Sequence, residues 1–120
     1  MADRMLFIGW STPVRGRESA DSRSPTRHSA LYGRMQREGR IEKFDVVLLA
    51  PTGELNGYIA LHGSAEQLAA VRESEEFQRS TADASLLADG LCVIEGFTNE
   101  GVATQIALCQ ESLARVPQTT

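Results

Sequence analysis

FDVVLLAPTGELNGYIALH, residues 44–62, places two apolar runs on either side of a segment dense in turn formers. The first run, residues 44–50, is continuous, rich in β-branched side chains and closed by Pro51, the pattern of a strand buried on both faces. Residues 51–57 end in Asn56-Gly57, a strong reversal signal, and residues 58–62 return as the second arm of a hairpin. A central hairpin decides the fold class once the flanking segments are known.

N-terminal to the hairpin, residues 5–11 (MLFIGWS) read as a strand, and residues 12–23 read as a loop rich in Pro, Gly, Ser and charge. Ser24-Pro25 has the form of an N-cap followed by proline at the first helical position. His28, Leu31, Tyr32, Met35 and Gly39 then recur at helical spacing, with Arg23, Arg27, Arg34 and Arg37 on another side. C-terminal to the hairpin, Ser64-Ala65-Glu66-Gln67 is a capping box opening a helix that carries Leu68 and Val71. Ser74 offers a second cap, so that helix is expected to restart, with Phe77, Thr81, Ala84 and Leu87 continuing its inward stripe. Asp89-Gly90 turns the chain into a fourth strand at 91–97. Residues 99–116 form the cleanest helical pattern: Val102, Ile106, Cys109, Leu113 and Val116 repeat at four, three, four and three residues before Pro117. The order is βαββαβ plus a C-terminal helix, an α+β arrangement with an antiparallel sheet, and 120 residues fit one domain spanning 1–120.

Composition excludes several classes. Apolar residues at 42% and charged ones at 23% match ordinary globular usage, which argues against disorder. No apolar run reaches the roughly 18 residues of a membrane span, and the N-terminus lacks the pattern of a secretory leader, so a cytoplasmic protein is expected. Charge is uneven: residues 1–43 carry nine Lys or Arg against five acids, for +4, and residues 44–120 carry three against eleven, for −8. With a pI near 5.1, nucleic acid is not the expected partner. Cys92 and Cys109 fall in apolar positions of a strand and a helix and read as buried free thiols.

The strands raise a question of cover. Both helical layers pack on one face of such a sheet, so the other face should be polar if it meets water. Yet both parities of the first two strands are apolar: Leu6, Ile8 and Trp10 against Met5, Phe7 and Gly9, and Val46 and Leu48 against Val47 and Leu49. Either a second subunit or the C-terminal helix must lie over that face. Hiding about 600 Å² would offer on the order of 15 kcal/mol before ordering costs, which favours self-association into a homodimer.

MLFIGWSTPVRGRE (5–18), YGRMQREGRIEKFDVVLLAPTGELNGYIALHGS (32–64) and FQRSTADASLLADGLCVIEGF (77–97) resemble the dimeric α+β barrel superfamily, within it a group of small uncharacterised bacterial proteins. The resemblance implies a ferredoxin-like fold whose sheets pair face to face into a barrel. Members of that superfamily include cofactor-independent monooxygenases, isomerases, haem enzymes and proteins with no known activity, so the resemblance implies cofactor-independent monooxygenase or isomerase chemistry as candidate activities. Ser24-Pro25 departs from the continuous first helix of such relatives.

Two constellations could carry chemistry. His62 and Glu95 each end a strand; in the strand order 4-1-3-2 they stand about two strand spacings apart, roughly 10 Å, and could flank a ligand with neutral His62 as general base. The plainer alternative bonds His62 to backbone and pairs Glu95 with an arginine across a dimer. At the other end of the sheet, Trp10 and Tyr58, with Arg15 and Arg17 from the following loop, could receive a planar anionic ligand; Glu54 and Asn56 emerge there too. The alternative makes Trp10 core filling and leaves the arginines solvated. The arginine stripe of the first helix could bind phosphate, or simply be wet. With only His28 and His62, no metal site and no cofactor are expected. The expectation is a homodimer that binds a small organic ligand, or uses it as a cofactor-independent enzyme; a regulatory or assembly protein meeting a partner is the non-enzymatic alternative.

Overall fold

In the computed structural model, residues 2–11, 24–49 and 55–117 are described. Their elements run β1 (Arg4–Trp10), α1 (Ser24–Arg37), β2 (Lys43–Leu48), β3 (Gly57–Gly63), α2 (Ala65–Glu73), α3 (Glu75–Leu87), β4 (Cys92–Phe97) and α4 (Glu100–Ala114). The four strands form one antiparallel sheet in the order β2-β3-β1-β4, the βαββαβ order of a ferredoxin-like α+β fold.

Register assigns each side chain to a face. Leu6 stands between Leu61 and Glu95, and Ile8 between Ile59 and Val93. Leu6, Ile8, Ile59 and Leu61 are 0–3% exposed and pack with Tyr32 and Met35 of α1, Leu68 and Val71 of α2 and Phe77 of α3. Each fully buried aliphatic side chain contributes about 1.5–3 kcal/mol, so this face carries most of the hydrophobic stabilisation. Burial pushes the Tyr32 phenol up to about 12. The α1, α2 and α3 layer therefore lies on one side, as the apolar spacing predicts.

Local chemistry sets the helix ends. The Ser64 hydroxyl accepts from Gln67 N–H at 3.1 Å, while Ser64 N–H donates to the Gln67 side chain at 2.8 Å, so the expected capping box is present. Ser74 is extended between α2 and α3; its hydroxyl accepts from Phe77 N–H at 3.3 Å, which is the restart read from the sequence. Gly39, at φ +76°, closes α1 in the left-handed conformation that favours glycine.

One expectation for the hairpin changes. β2 takes the edge position of the expected order but is not buried on both faces: Val46 is 38% and Leu48 70% exposed. The central positions go to β1 and β3, because a strand flanked on one side only cannot be covered at its outer edge. Residues 12–23, including the loop with Arg15 and Arg17, lie outside the described residues, as does Glu54.

The C-terminal helix is not folded over the sheet. Its start is tied down: Asn99 donates its side-chain N–H to Ala2 O at 2.7 Å, Thr98 N–H donates to Asp3 O at 3.1 Å, and a Cβ on Gly101 would stand 2.2 Å from Asp3 O. Beyond that turn α4 buries nothing else, and Val102, Ile106, Leu113 and Val116 are 42–66% exposed.

Candidate functional site

The face of the sheet opposite α1, α2 and α3 carries Met5, Phe7 and Gly9 from β1, Tyr58, Ala60 and His62 from β3, Lys43, Asp45 and Val47 from β2, and Cys92, Ile94 and Gly96 from β4. Phe7 and Tyr58 stack with ring centroids 5.0 Å apart and planes inclined by 30°. Such an offset pair favours a flat apolar partner laid against it. Ala60, between the aromatics and His62, keeps the floor low. A Cβ on Gly9 would stand 2.6 Å from the Phe7 ring, so glycine there lets the ring lie down on the strand.

His62 is the ionisable centre of this face. Its Nε2 lies 3.1 Å from Asp45 Oδ2, and its side chain is 13% exposed against 53% for Asp45. Asp45 pairs with Ala60 and Lys43 with His62, so the two acidic and imidazole groups meet diagonally across β2 and β3. With Nε2–H donating to the carboxylate, Nδ1 keeps its lone pair, the tautomer required of a general base held in place by an acid.

Glu95 does not belong to this arrangement. His62 stands beside Met5, whereas Glu95 stands beside Leu6, one residue out of step, so the two side chains project from opposite faces. Glu95 accepts from Arg72 Nη1 of α2 at 2.8 Å, an ion pair within the chain rather than across a dimer. The expected His62–Glu95 flank is replaced by His62–Asp45. Asp45 had a signal of its own, an acid inside an otherwise apolar strand, but only the hairpin register brings it to His62.

Trp10 and Tyr58 separate in the same way. Trp10 pairs with Gly57 and Tyr58 with Gly9, so they are neighbours in the ladder on opposite faces. The indole lies over Gly57, where a Cβ would be 2.5 Å from it, and packs against the buried core, so Trp10 is core filling. Tyr58 alone reaches the open face. Arg15 and Arg17 lie outside the described residues. Of the arginine stripe, Arg23 and the side chain of Arg27 lie outside the described residues, and Arg34 of α1 joins Arg40, just past the helix, in holding Glu76 of α3; the Arg40 hydrogen bond, with Arg34 adding to it, draws the Glu76 carboxyl below the usual range. Tying α1 to α3 is a structural task, of small worth because the groups are exposed.

Among the described residues, no group of three or more His, Cys, Asp or Glu is placed to hold a metal ion, and no helix is long and apolar enough to cross a membrane. Cys92 is partly covered and Cys109 is exposed on α4, which corrects the expectation that both are buried. Comparison with protein-family models and with curated proteins finds no match.

Proposed function

We propose that this chain is a cytoplasmic, homodimeric ligand-binding protein of the dimeric α+β barrel kind. Its open sheet face is one wall of a cavity for a small planar organic molecule. One observation carries this reading: a stacked Phe7–Tyr58 pair and a carboxylate-held imidazole share a sheet face on which α1, α2 and α3 do not pack. Flat aromatic walls gain most from a flat aromatic guest, and a carboxylate-held imidazole on the same face suits a guest with a hydroxyl proton to give. Phenols and quinols are the ligand class that meets both conditions.

The His62–Asp45 pair favours a second reading, in which binding leads to chemistry without a cofactor. His62 would accept the ligand's hydroxyl proton, and Asp45 would hold the imidazole in the required tautomer. Titrating the protein with a panel of phenols and quinols, followed by NMR, tests the binding reading. Shifts are expected to centre on Phe7, Tyr58 and Ala60, and Tyr58→Ala should weaken binding about tenfold, in line with the loss of one aromatic contact. Shifts confined to the α1–α3 side would overturn it. For the enzymatic reading, proton exchange or oxygen uptake on the same panel should disappear in His62→Ala; turnover unchanged in that variant would remove His62 from the mechanism.

A further inference from the structure

We infer that α4 is a clasp between two copies of this chain, its Val102, Ile106, Leu113 and Val116 stripe packing against the second copy. The inference takes up the two-copy part of the proposed function and is independent of the ligand. Val102, Ile106, Cys109, Leu113 and Val116 follow the alternating four-three spacing of a helix that meets a neighbour along one seam. In one copy the apolar members of that seam are 42%, 52%, 66% and 57% exposed, and Leu108 beside it is 50% exposed. Gly101 is the only buried residue of α4. A helix of 15 residues is marginal in water by itself, so a wet apolar stripe of this length needs cover.

Among the described residues, the same chain does not supply that cover. Asn99, at φ 52°, and the close fit of Gly101 on the Asp3 backbone set the direction in which α4 leaves β4. From that fixed start the helix runs about 22 Å at 1.5 Å per residue, and the long dimension of the molecule is 58 Å. A lipid surface is the poorer occupant, because membrane-surface helices carry Lys and Arg on the polar side. The polar residues of α4 include Glu100, Gln105, Gln110 and Glu111, and it holds no Lys or Arg.

Area points to a second copy and to where α4 must go. Five half-exposed apolar side chains offer on the order of 400 Å² per copy. Two such stripes, roughly 800 Å² together, fall short of the ~1,200 Å² at which specific interfaces begin. The open sheet face, where Ile94 is 54% exposed, supplies several hundred Å² more per copy and brings the total into the stable range. One symmetric partner that covers both surfaces satisfies both needs, because each copy brings the same two unpaired patches.

Sedimentation equilibrium of the full chain, from about 1 to 100 μM, tests this. The expected mass is that of two copies at about 10 μM, and the Ile106→Glu/Leu113→Glu variant should dissociate at least 100-fold more readily while keeping its circular dichroism spectrum. Hydrogen exchange of the unmodified protein gives a readout that needs no variant: α4 amides should be protected at high concentration and lose protection on dilution, in step with the mass. A one-copy mass up to 100 μM, a two-copy mass retained in the variant, or α4 protection that ignores dilution would each overturn the clasp. A two-copy mass without phenol or quinol binding overturns the ligand and leaves the clasp standing.

Discussion

The two faces of β1 and β3 are built from alternate residues of the same strands, yet they have met different fates. Leu6, Ile8, Ile59 and Leu61 turn to α1, α2 and α3 and are 0–3% exposed. Phe7, Tyr58 and His62 turn the other way and stay only half-buried, with the small residues Gly9 and Ala60 buried between them. Aliphatic side chains interdigitate and close a core, whereas a shallow floor with flat walls and a hydrogen-bonded polar group suits a removable guest. Apolar character on both sides of a strand therefore does not make the sides equivalent; the kind of apolar residue separates packing from reception.

The largest effect expected from this contrast is on stability. Leu61→Ala, on the closed face, should destabilise by about 2–5 kcal/mol in a denaturant melt, while Tyr58→Ala, on the open face, should cost clearly less. Equal losses would mean that both faces are cores. A second test uses Tyr32 behind the closed face. Its folded phenol titrates near 12, against about 10 when unfolded. The folded state then holds the proton more tightly, so this contribution is complete below pH 10 and disappears as pH rises through 12. It amounts to roughly 2–3 kcal/mol, and Tyr32→Phe should remove that part of the alkaline slope. The smallest effects should come from the two ion pairs, one on each face. Glu95→Gln breaks the exposed Arg72 pair and should change stability by less than about 1 kcal/mol, with ligand binding untouched. Asp45→Asn should be as mild on stability but should reduce proton exchange on the ligand panel, because the imidazole loses the carboxylate at 3.1 Å. If Glu95→Gln and Asp45→Asn behaved alike in that assay, the open face would not be the special one.

Much of this architecture was legible in local pattern. The capping box at Ser64 and Gln67, the restart at Ser74 and the stop at Gly39 are short-range hydrogen-bonding or backbone requirements, and each appears where the residues call for it. The strand order was also anticipated. The candidate site was legible only in part. His62 and Tyr58 lie on the open face, but Glu95 and Trp10 went to the other, because a side chain's face depends on one-residue register between strands that are distant in sequence. Phe7 and Asp45 were visible as residue types and invisible as partners for the same reason.

Residue pattern was thus sufficient for the kind, order and ends of the helices and strands, since these follow from spacing, caps and turn formers within a few residues. It also established that the first two strands are apolar on both sides. Three-dimensional packing alone decided that His62 meets Asp45, that Glu95 answers to Arg72, and that the Val102–Val116 stripe stays uncovered by the described residues of its own chain. Those outcomes turn on long-range pairing and on the direction in which α4 leaves Asn99, quantities that no local propensity contains.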